Sequence, residues 1–593
     1  MLRGPTRKPG ERTKPIIDPH LGDIEDDASS TKKRSLMAIA GSMLIEISLF
    51  KLAFAWVLLL LVPGLVLGLL PIAAGIWLQA LTDRVLSPID GVVPLAILLL
   101  VLAIGWYGGR AFLRLAEYSF WSLTSLVVQP GYGACREALR QFAERLLPAN
   151  ASQTTRATLR AAAAAVAGVL VSAFALIIFF LVWPATHIFG GLEEIDSARR
   201  LVTVALANSL AVVSAYLAAG SLIWAIADST MPQPRDLEHF DTAPDDARRW
   251  RIVHLSDIHI VGEHYGFRVE SGRAGARGNE RLRRLFKRLE EIDKVAPLDH
   301  ILITGDITDA GRLSEWAVFF SVIEAHPGLA SRVLIIPGNH DLNIVDRANP
   351  ARMDLPTSPN PRLRQLRMLS GMEFVQGERV RVVDRDSGAI ETTLAAATEP
   401  YRLDVERFAD VARPRLSRSL TEAWNGAFPM IIPPEGENGL GLVLFNSNAA
   451  THFSFTNALG LVSAEQVGAF EQVAKEYPHA GWLVLLHHHA IEYPRAVKKL
   501  SVRIGTALIN GNWFLRRMKA FAGRAVLMHG HRHVDWIGQC GGLLIISAPS
   551  PVMEATDDMA TGFYIHTVAV TGGGELKLLP PEHIDLPGER YRG

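Results

Sequence analysis

The sequence predicts an α-helical, membrane-type region followed by an α/β domain. Three observations predict it. Four long apolar stretches without Asp, Glu, Lys or Arg lie before Asp228. From Arg251 onward, segments of strand character alternate with segments of helical spacing. Five of the strand-like segments run out into Asp, Asn or His, which is where open α/β sheets carry their chemistry.

The chain of 593 residues is too long for one ordinary domain. It carries 60 Lys and Arg against 60 Asp and Glu, so no overall charge argues for a nucleic-acid partner. Its two cysteines, Cys135 and Cys540, cannot build a disulfide framework or a zinc-type cysteine cluster.

Residues 1–51 form a polar leader, too charged for a cleavable secretory signal; within it Ser35 to Phe50 turns apolar and is expected along a membrane surface. Residues 52–227 hold the four charge-free stretches: Leu52 to Thr82, Gly91 to Gly109, Ala161 to Leu192 and Leu201 to Ala227. Each approaches the roughly 20 residues a spanning helix needs, and Pro63, Pro71 and Pro184 are tolerable there. Twenty Lys and Arg flank these spans on one side and three on the other. The basic side is the cytoplasmic one, so both termini and everything after the last span are expected in the cytoplasm.

Between the second and third spans, Leu139, Phe142 and Leu146 share one helical face, with Arg136, Arg140 and Glu144 elsewhere. That is either an interfacial helix or an ordinary soluble amphipathic one. His187 falls at the outer end of the third span. Residues 228–250 read as a linker, since Pro232, Pro234, Pro244 and several acids disfavour regular structure.

Residues 251–575 form the α/β domain. Strands are predicted at Ile252 to His259, His300 to Thr304, Arg332 to Ile336, Leu440 to Phe445, Trp482 to Leu486, Ala525 to Met528 and Leu543 to Ser547. Helices are predicted at Glu280 to Val295 and Ser314 to His326. Residues 342–439, rich in Pro and Arg, read as an insertion or cap, and 576–593 as a tail.

The strand ends carry the chemistry. They read Asp257-x-His259, Gly305-Asp306-x-x-Asp309, Gly338-Asn339-His340-Asp341, His487-His488-His489 and Gly530-His531-x-His533. Alternate residues of a strand share a face, so Asp257 and His259 can reach one ion together. Carboxylate, imidazole and amide oxygen suit hard or borderline divalent metals. The glycines before Asp306, Asn339 and His531 permit tight turns and close backbone approach.

In its motifs and their order, the stretch from about Arg251 to Val570 resembles the calcineurin-like metallophosphoesterase superfamily. The resemblance implies a layered α/β/β/α sandwich and two divalent ions, Mn, Fe or Zn. In such a pair the ions clamp a phosphate and hold a bridging hydroxide. It assigns Asp257, His259 and His533 to the first metal, Asp306 to a bridge, and Asn339, His487 and His531 to the second. His488 is the alternative to His487, because the family's usual His-His-Pro or His-x-Pro turn is here His487-His488-His489-Ala490, with no proline until Pro494. The catalytic pair is then His340, facing the leaving group off the metals, and Asp341, orienting it through the other ring nitrogen. Asp309 supports the loop, His529 packs at a strand end and His254 lies in the core.

Substrate selection is less determined. Arg268, Arg273 and Arg277, between Gly262 and Asn279, either meet a phosphate or belong to a solvated loop. Arg362, Arg364 and Arg367 either face phosphate or lipid headgroups or form an exposed helix face. Asn446 and Asn448 follow a strand within possible reach of the site.

The expected function is a membrane-anchored phosphoesterase hydrolysing a phosphate diester or monoester, nucleotide-like or lipid-linked. The motif wording looks most like the branch containing class III cyclic-nucleotide phosphodiesterases. The rivals are a hydrolase of a lipid-linked phosphoester or pyrophosphate, and a non-catalytic membrane scaffold that retains the metal site. The expected contacts are substrate and membrane lipid, with no nucleic acid.

Overall fold

The computed structural model describes residues 14–23, 49–81, 124–148, 151–188, 197–244, 247–262, 277–345, 354, 358–385, 387–411, 416–451, 454–494, 508–553 and 559–588. The expected second span, most of Ser35 to Phe50, and Arg268 and Arg273 lie outside them. The chain divides into two compact units, one built mainly of Ile47–Gln233 and the other of Pro234 onward together with the leader.

The first unit is helical: Leu49–Leu81, Gln129–Leu146, Gln153–Val182 and Ala198–Ser229. Among the described residues, two helical stretches, Gln153–Ala185 and Ala198–Ser229, are long and apolar enough to cross a membrane. They begin where Ser152 and Ser197 accept hydrogen bonds from the backbone N–H groups of Thr155 and Arg200, as N-caps do. Helix Leu49–Leu81, at the expected first span, carries Pro63 and Pro71 inside it.

Packing here runs opposite to that of a water-soluble bundle. Ala163, Ala164, Ala167, Ser172 and Ala175 are buried, while Phe174, Ile177, Phe180 and Leu181 are exposed. Small residues inside let helices approach closely, as in membrane bundles. The buried Asn208 amide donates to the Gly68 carbonyl and accepts from the His187 N–H.

Helix Gln129–Leu146 shows the same inversion. Its Glu137 and Arg140 are buried, whereas Phe142 and Leu146 stand out. The charges are matched internally: Arg160 and Arg140 reach Glu144 at 2.8 and 3.0 Å, and Arg136 reaches Asp228 at 2.5 Å.

The second unit is α/β. Its strands are β1 (Arg235–Asp236), β2 (Arg248–Leu255), β3 (His300–Ile303), β4 (Val333–Ile335), β5 (Arg381–Val383), β6 (Ile390–Thr393), β7 (Met430–Ile432), β8 (Leu440–Leu444), β9 (Gly481–Leu485), β10 (Ala525–His529), β11 (Trp536–Cys540), β12 (Leu543–Ser547), β13 (Thr561–Val570), β14 (Leu576–Leu578) and β15 (Glu582–Leu586). Among the described residues they form two sheets. The nine-stranded one runs β1-β11-β12-β10-β9-β8-β7-β5-β6. The six-stranded one runs β14-β13-β2-β3-β4, with β15 also on β13.

The nine-stranded sheet has a parallel centre with antiparallel strands on either side, whereas the six-stranded one has its parallel strands on one side and its antiparallel strands on the other. β2, β3 and β4 pair in parallel, as do β8, β9, β10 and β12. The runs Leu440–Leu444, Gly481–Leu485 and Ala525–His529 are buried at every position, which parallel strands covered on both faces require. One apolar core draws on both sheets, with Leu255, Ile303 and Ile335 from one and Leu444, Leu485 and Met528 from the other. In-register pairing leaves the C-terminal ends of neighbouring parallel strands level, and the site is built there.

Three boundaries differ from the sequence reading. The linker is not wholly irregular, because Arg235–Asp236 adds an edge strand and the Asp236 carboxylate takes the Trp536 indole N–H at 2.7 Å. The tail is not a free end, because Leu576–Leu578 and Glu582–Leu586 both pair with β13. The 342–439 stretch supplies β5, β6 and β7 to the large sheet. Its helix Asn360–Gln376 sinks Leu363, Leu366, Leu369 and Met372 into the common core.

Candidate metal centre

The strands stop short of the chemistry. β2 ends at Leu255, so Asp257 and His259 lie beyond it, in a turn. Both have left-handed backbone, with φ of 55° and 48°. Their proximity comes from that turn, not from the strand alternation expected above. Asp306, His531 and His533 are also left-handed, at 50°, 74° and 50°. Among the described residues, every non-glycine with positive φ is one of these five. Such conformations are uncommon outside glycine and cost free energy that the surroundings must supply. Here the strain is confined to the cluster.

The cluster is made of linked groups. Asp257, His259 and His533 bring one ligand-type atom each within 4.8 Å of one another, as do Asp306, His487 and His531. A third set, His259, Asp306 and His340, joins them. Asn339 belongs with the second set, its amide oxygen 3.1 Å from His487 Nε2. His487 Nε2 also lies 3.3 Å from Asp306 Oδ1, and His533 Nε2 lies 3.3 Å from Asp257 Oδ1. All seven expected ligand residues therefore meet. His488 does not join them; its Nδ1 is 3.0 Å from Ser447 Oγ.

Tight turns make this approach possible. A Cβ on Gly338 would collide with the Asp306 backbone and carboxylate, and one on Gly530 with Ser256 Oγ and Asp257. The Asp257 carboxylate takes the His531 N–H, and the Ser550 hydroxyl donates to the Asp257 carbonyl. The His340 N–H donates to Asp306 Oδ1 at 2.8 Å. On the other wall, Ser447 Oγ accepts from the N–H groups of both His487 and His488.

The donor set fits a divalent cation. His487 Nδ1 lies 2.8 Å from the Thr304 carbonyl, so Nδ1 carries a hydrogen, and in the neutral ring that a metal requires Nε2 keeps a lone pair. That lone pair faces the oxygens of Asp306 and Asn339 and the Nδ1 of His531 at 3.1 Å. Acceptors aimed at one point in a buried site call for positive charge between them. The titration of the bare ligands says the same. Burial lowers the His487 pKa, but Asp306 and then Asp257 outweigh it and push it up to about 9. Burial raises the Asp306 carboxyl, yet His487 and His340 hold it well below the usual carboxylate range.

His340 and its neighbours depart from expectation. His340 Nδ1 lies 2.7 Å from the Asp309 carbonyl, so its ring is set by main chain and not by the Asp341 carboxylate. Asp341 accepts instead from the N–H groups of Thr308, Gly338 and Ile307 and from the Thr308 hydroxyl. A carboxylate immediately after His340 in sequence is already saturated by the turns it ties together. Asp309, read as a loop support, also faces a ligand, with its Oδ1 3.5 Å from His259 Nδ1. Only the Asp-x-x-Asp spacing hinted at that.

The other candidates sit elsewhere. Arg364 and Arg367 are buried and paired with Asp354 and Asp23, so they are neither an exposed face nor available for headgroups. Arg362 is held by Gln365 and Thr421. Asn448 Nδ2 donates to the Pro337 carbonyl at 2.9 Å, behind the Gly338-Asn339 turn. Asn446 Oδ1 takes the Asn448 N–H. His529 is fully buried at the end of β10 and His254 lies 3.1 Å from the Thr304 hydroxyl.

Residues 251–411 match the calcineurin-like phosphoesterase family. Over that stretch the chain is thus similar to a calcineurin-like phosphoesterase domain. The match takes in Asp257, His259, Asp306, Asn339 and His340; the fold brings His487, His531 and His533 to them. No curated protein matches the chain. Among solved structures, a putative 5'-nucleotidase from Staphylococcus aureus in complex with alpha-ketoglutarate aligns at 12% identity over 58% of this chain and 55% of its own, with a TM-score of 0.31. This chain thus spans about half the length of that relative. A calcineurin-like phosphoesterase from Bacillus subtilis aligns at 12% identity over 58% of this chain and 91% of its own, with a TM-score of 0.27.

Proposed function

We propose that the chain is a membrane-anchored phosphoester hydrolase that works with two divalent metal ions, Mn, Fe or Zn. One observation carries the reading: two sets of candidate ligand residues meet at Asp306, which lies in the stretch that matches the calcineurin-like phosphoesterase family. Asp257, His259 and His533 would hold one ion, and Asn339, His487 and His531 the other, with Asp306 shared. When bound, such a pair neutralises a phosphate and lowers the pKa of bound water towards neutrality.

The remaining work falls to this chain's own groups. His340, set by the Asp309 carbonyl, lies beside Asp306 and His259. There it donates a proton to the departing oxygen or stabilises its charge. Asp341 acts one step back, holding the Ile307-Thr308 and Gly338 turns in register. Ser447 and the Thr304 carbonyl fix His487.

The substrate is a phosphate diester or monoester, nucleotide-like or lipid-linked; the motif wording favours a diester. The apolar helices and the inverted packing of the first unit support a multi-pass anchor. The excess of Lys and Arg supports a cytoplasmic domain and termini.

The test is hydrolysis of bis(p-nitrophenyl) phosphate by the purified full chain supplied with Mn, Fe, Zn, Co or Ni. Turnover with any of them supports the reading. Stoichiometric metal binding without turnover favours the scaffold. A panel of cyclic nucleotides, nucleotide pyrophosphates and phospholipids then separates a nucleotide-like from a lipid-linked substrate.

A further inference from the structure

The leader is built into the phosphoesterase domain. Ile16 and Ile17 are buried in the common core, and the Ile17 N–H donates to Ser370 Oγ at 2.9 Å. Asp23 is fully buried. Both of its oxygens take a nitrogen of Arg367, Nε and Nη2, at 2.7 Å each. The remaining terminal nitrogen of Arg367, Nη1, donates to the Gly311 carbonyl at 2.7 Å. The guanidinium fork therefore bridges the leader and the Asp309-Ala310-Gly311 turn. A planar fork holding a carboxylate on two donors is a geometrically specific clamp.

That turn is the one that sets His340. The Asp309 carbonyl faces His340 Nδ1, and the Asp309 carboxylate faces His259. The Gly311 N–H donates to Thr308 Oγ1, which in turn donates to Asp341. Gly311 has φ of 67°, and a Cβ there would press on the Asp341 carbonyl and Arg364. The turn thus has little room to move while Arg367 holds its carbonyl, and Arg367 is held by Asp23.

We propose that Asp23 and Arg367 are a positioning pair for His340, through which the N-terminal leader orients the group that meets the leaving oxygen. The proposal rests on the hydrolase reading given above. Neither residue touches substrate or metal; both act through the Asp309–Gly311 turn.

The experiment compares leaving groups in the full-length, metal-loaded chain. A p-nitrophenyl ester departs without protonation, whereas a phenyl or alkyl ester needs the acid. Asp23→Ala is expected to lower kcat on bis-phenyl phosphate by about 10–100-fold, the range for a lost orienting partner. Turnover of bis(p-nitrophenyl) phosphate and metal content should barely change, and Asp23→Glu should recover most of the loss. Equal losses on both esters, or no loss on either, would overturn the proposal.

Amide hydrogen exchange at residues 308–311 supplies a readout that needs no activity. Faster exchange in Asp23→Ala supports the clamp, and unchanged exchange overturns it. If the wild-type chain hydrolyses neither ester, the diesterase reading has failed, and the exchange result alone decides whether the clamp exists.

Discussion

His340 Nδ1 lies 2.7 Å from the backbone carbonyl of Asp309, and the ring stands edge-on to His259 with centroids 4.4 Å apart. One turn of chain therefore sets both a candidate ligand and the candidate leaving-group acid. A backbone carbonyl cannot be removed by side-chain substitution, so His340 itself is the place to test the role. His340→Ala is expected to keep its metal and to lose about 10²–10⁴-fold in kcat on poor leaving groups, the contribution of a positioned acid. Metal analysis alongside kinetics checks this. Loss of metal would instead make His340 a ligand.

The Asp309 carboxylate faces His259 Nδ1 at 3.5 Å. A carboxylate behind a metal-binding histidine fixes its tautomer and raises its basicity. Asp309→Ala is expected to weaken metal affinity or activity by about 10–100-fold, measured by titrating activity against Mn concentration. An unchanged titration would show that His259 is oriented by something else.

Gly530 packs so closely on Ser256 and Asp257 that a methyl group has no space. Overpacking of this kind costs about 1–3 kcal/mol, and here it would also push on a candidate ligand carboxylate. Gly530→Ala is expected to lower both thermal stability and metal content. A variant that binds metal as the wild type does would mean the turn can open without cost.

How much of this could be read from the sequence differs residue by residue. The meeting of Asp257, His259, Asp306, Asn339, His487, His531 and His533 could be anticipated, because short motifs at strand ends are local and parallel strands put their ends together. The left-handed backbone at five of them could not, because Asp and His do not announce positive φ as glycine does. The partner of His340 is the Asp309 carbonyl and not the neighbouring Asp341, since adjacency in sequence says nothing of which carboxylates are already bonded. The Asp23 and Arg367 pair joins positions 344 apart, and no periodicity marks such a contact. The tail strands were missed because three to five residues of mixed polarity, as in Leu576–Leu578 and Glu582–Leu586, carry too short a pattern to register.

Glu315 offers a test of the electrostatics away from the metal ligands. It is buried at the start of helix Leu313–Ala325, where one oxygen takes the N–H groups of Ala310 and Arg312. Burial, and then the nearby Asp309 carboxylate, push its carboxyl up to about 8, against about 4.3 for an unperturbed glutamate. The folded state thus binds an extra proton between those values. The group's contribution to stability is fullest below the unfolded value and is lost as pH rises through the folded one. Relative to Glu315→Gln, the wild type is expected to lose about 1.4 kcal/mol per pH unit between roughly pH 5 and pH 8. Urea unfolding of both proteins at several pH values measures it; a pH-independent difference would place Glu315 among ordinary carboxylates.

The central claim is that Asp306 joins two sets of ligands into one hydrolytic centre. The most direct measurement is hydrolysis of bis(p-nitrophenyl) phosphate by the full chain before chelation, after chelation and after Mn is restored, with Asp306→Ala in parallel. The account predicts activity that disappears with the metal, returns with it, and is missing together with the metal in Asp306→Ala. A fully Mn-loaded wild type that turns over nothing, or an Asp306→Ala chain that works as the wild type does, would contradict it.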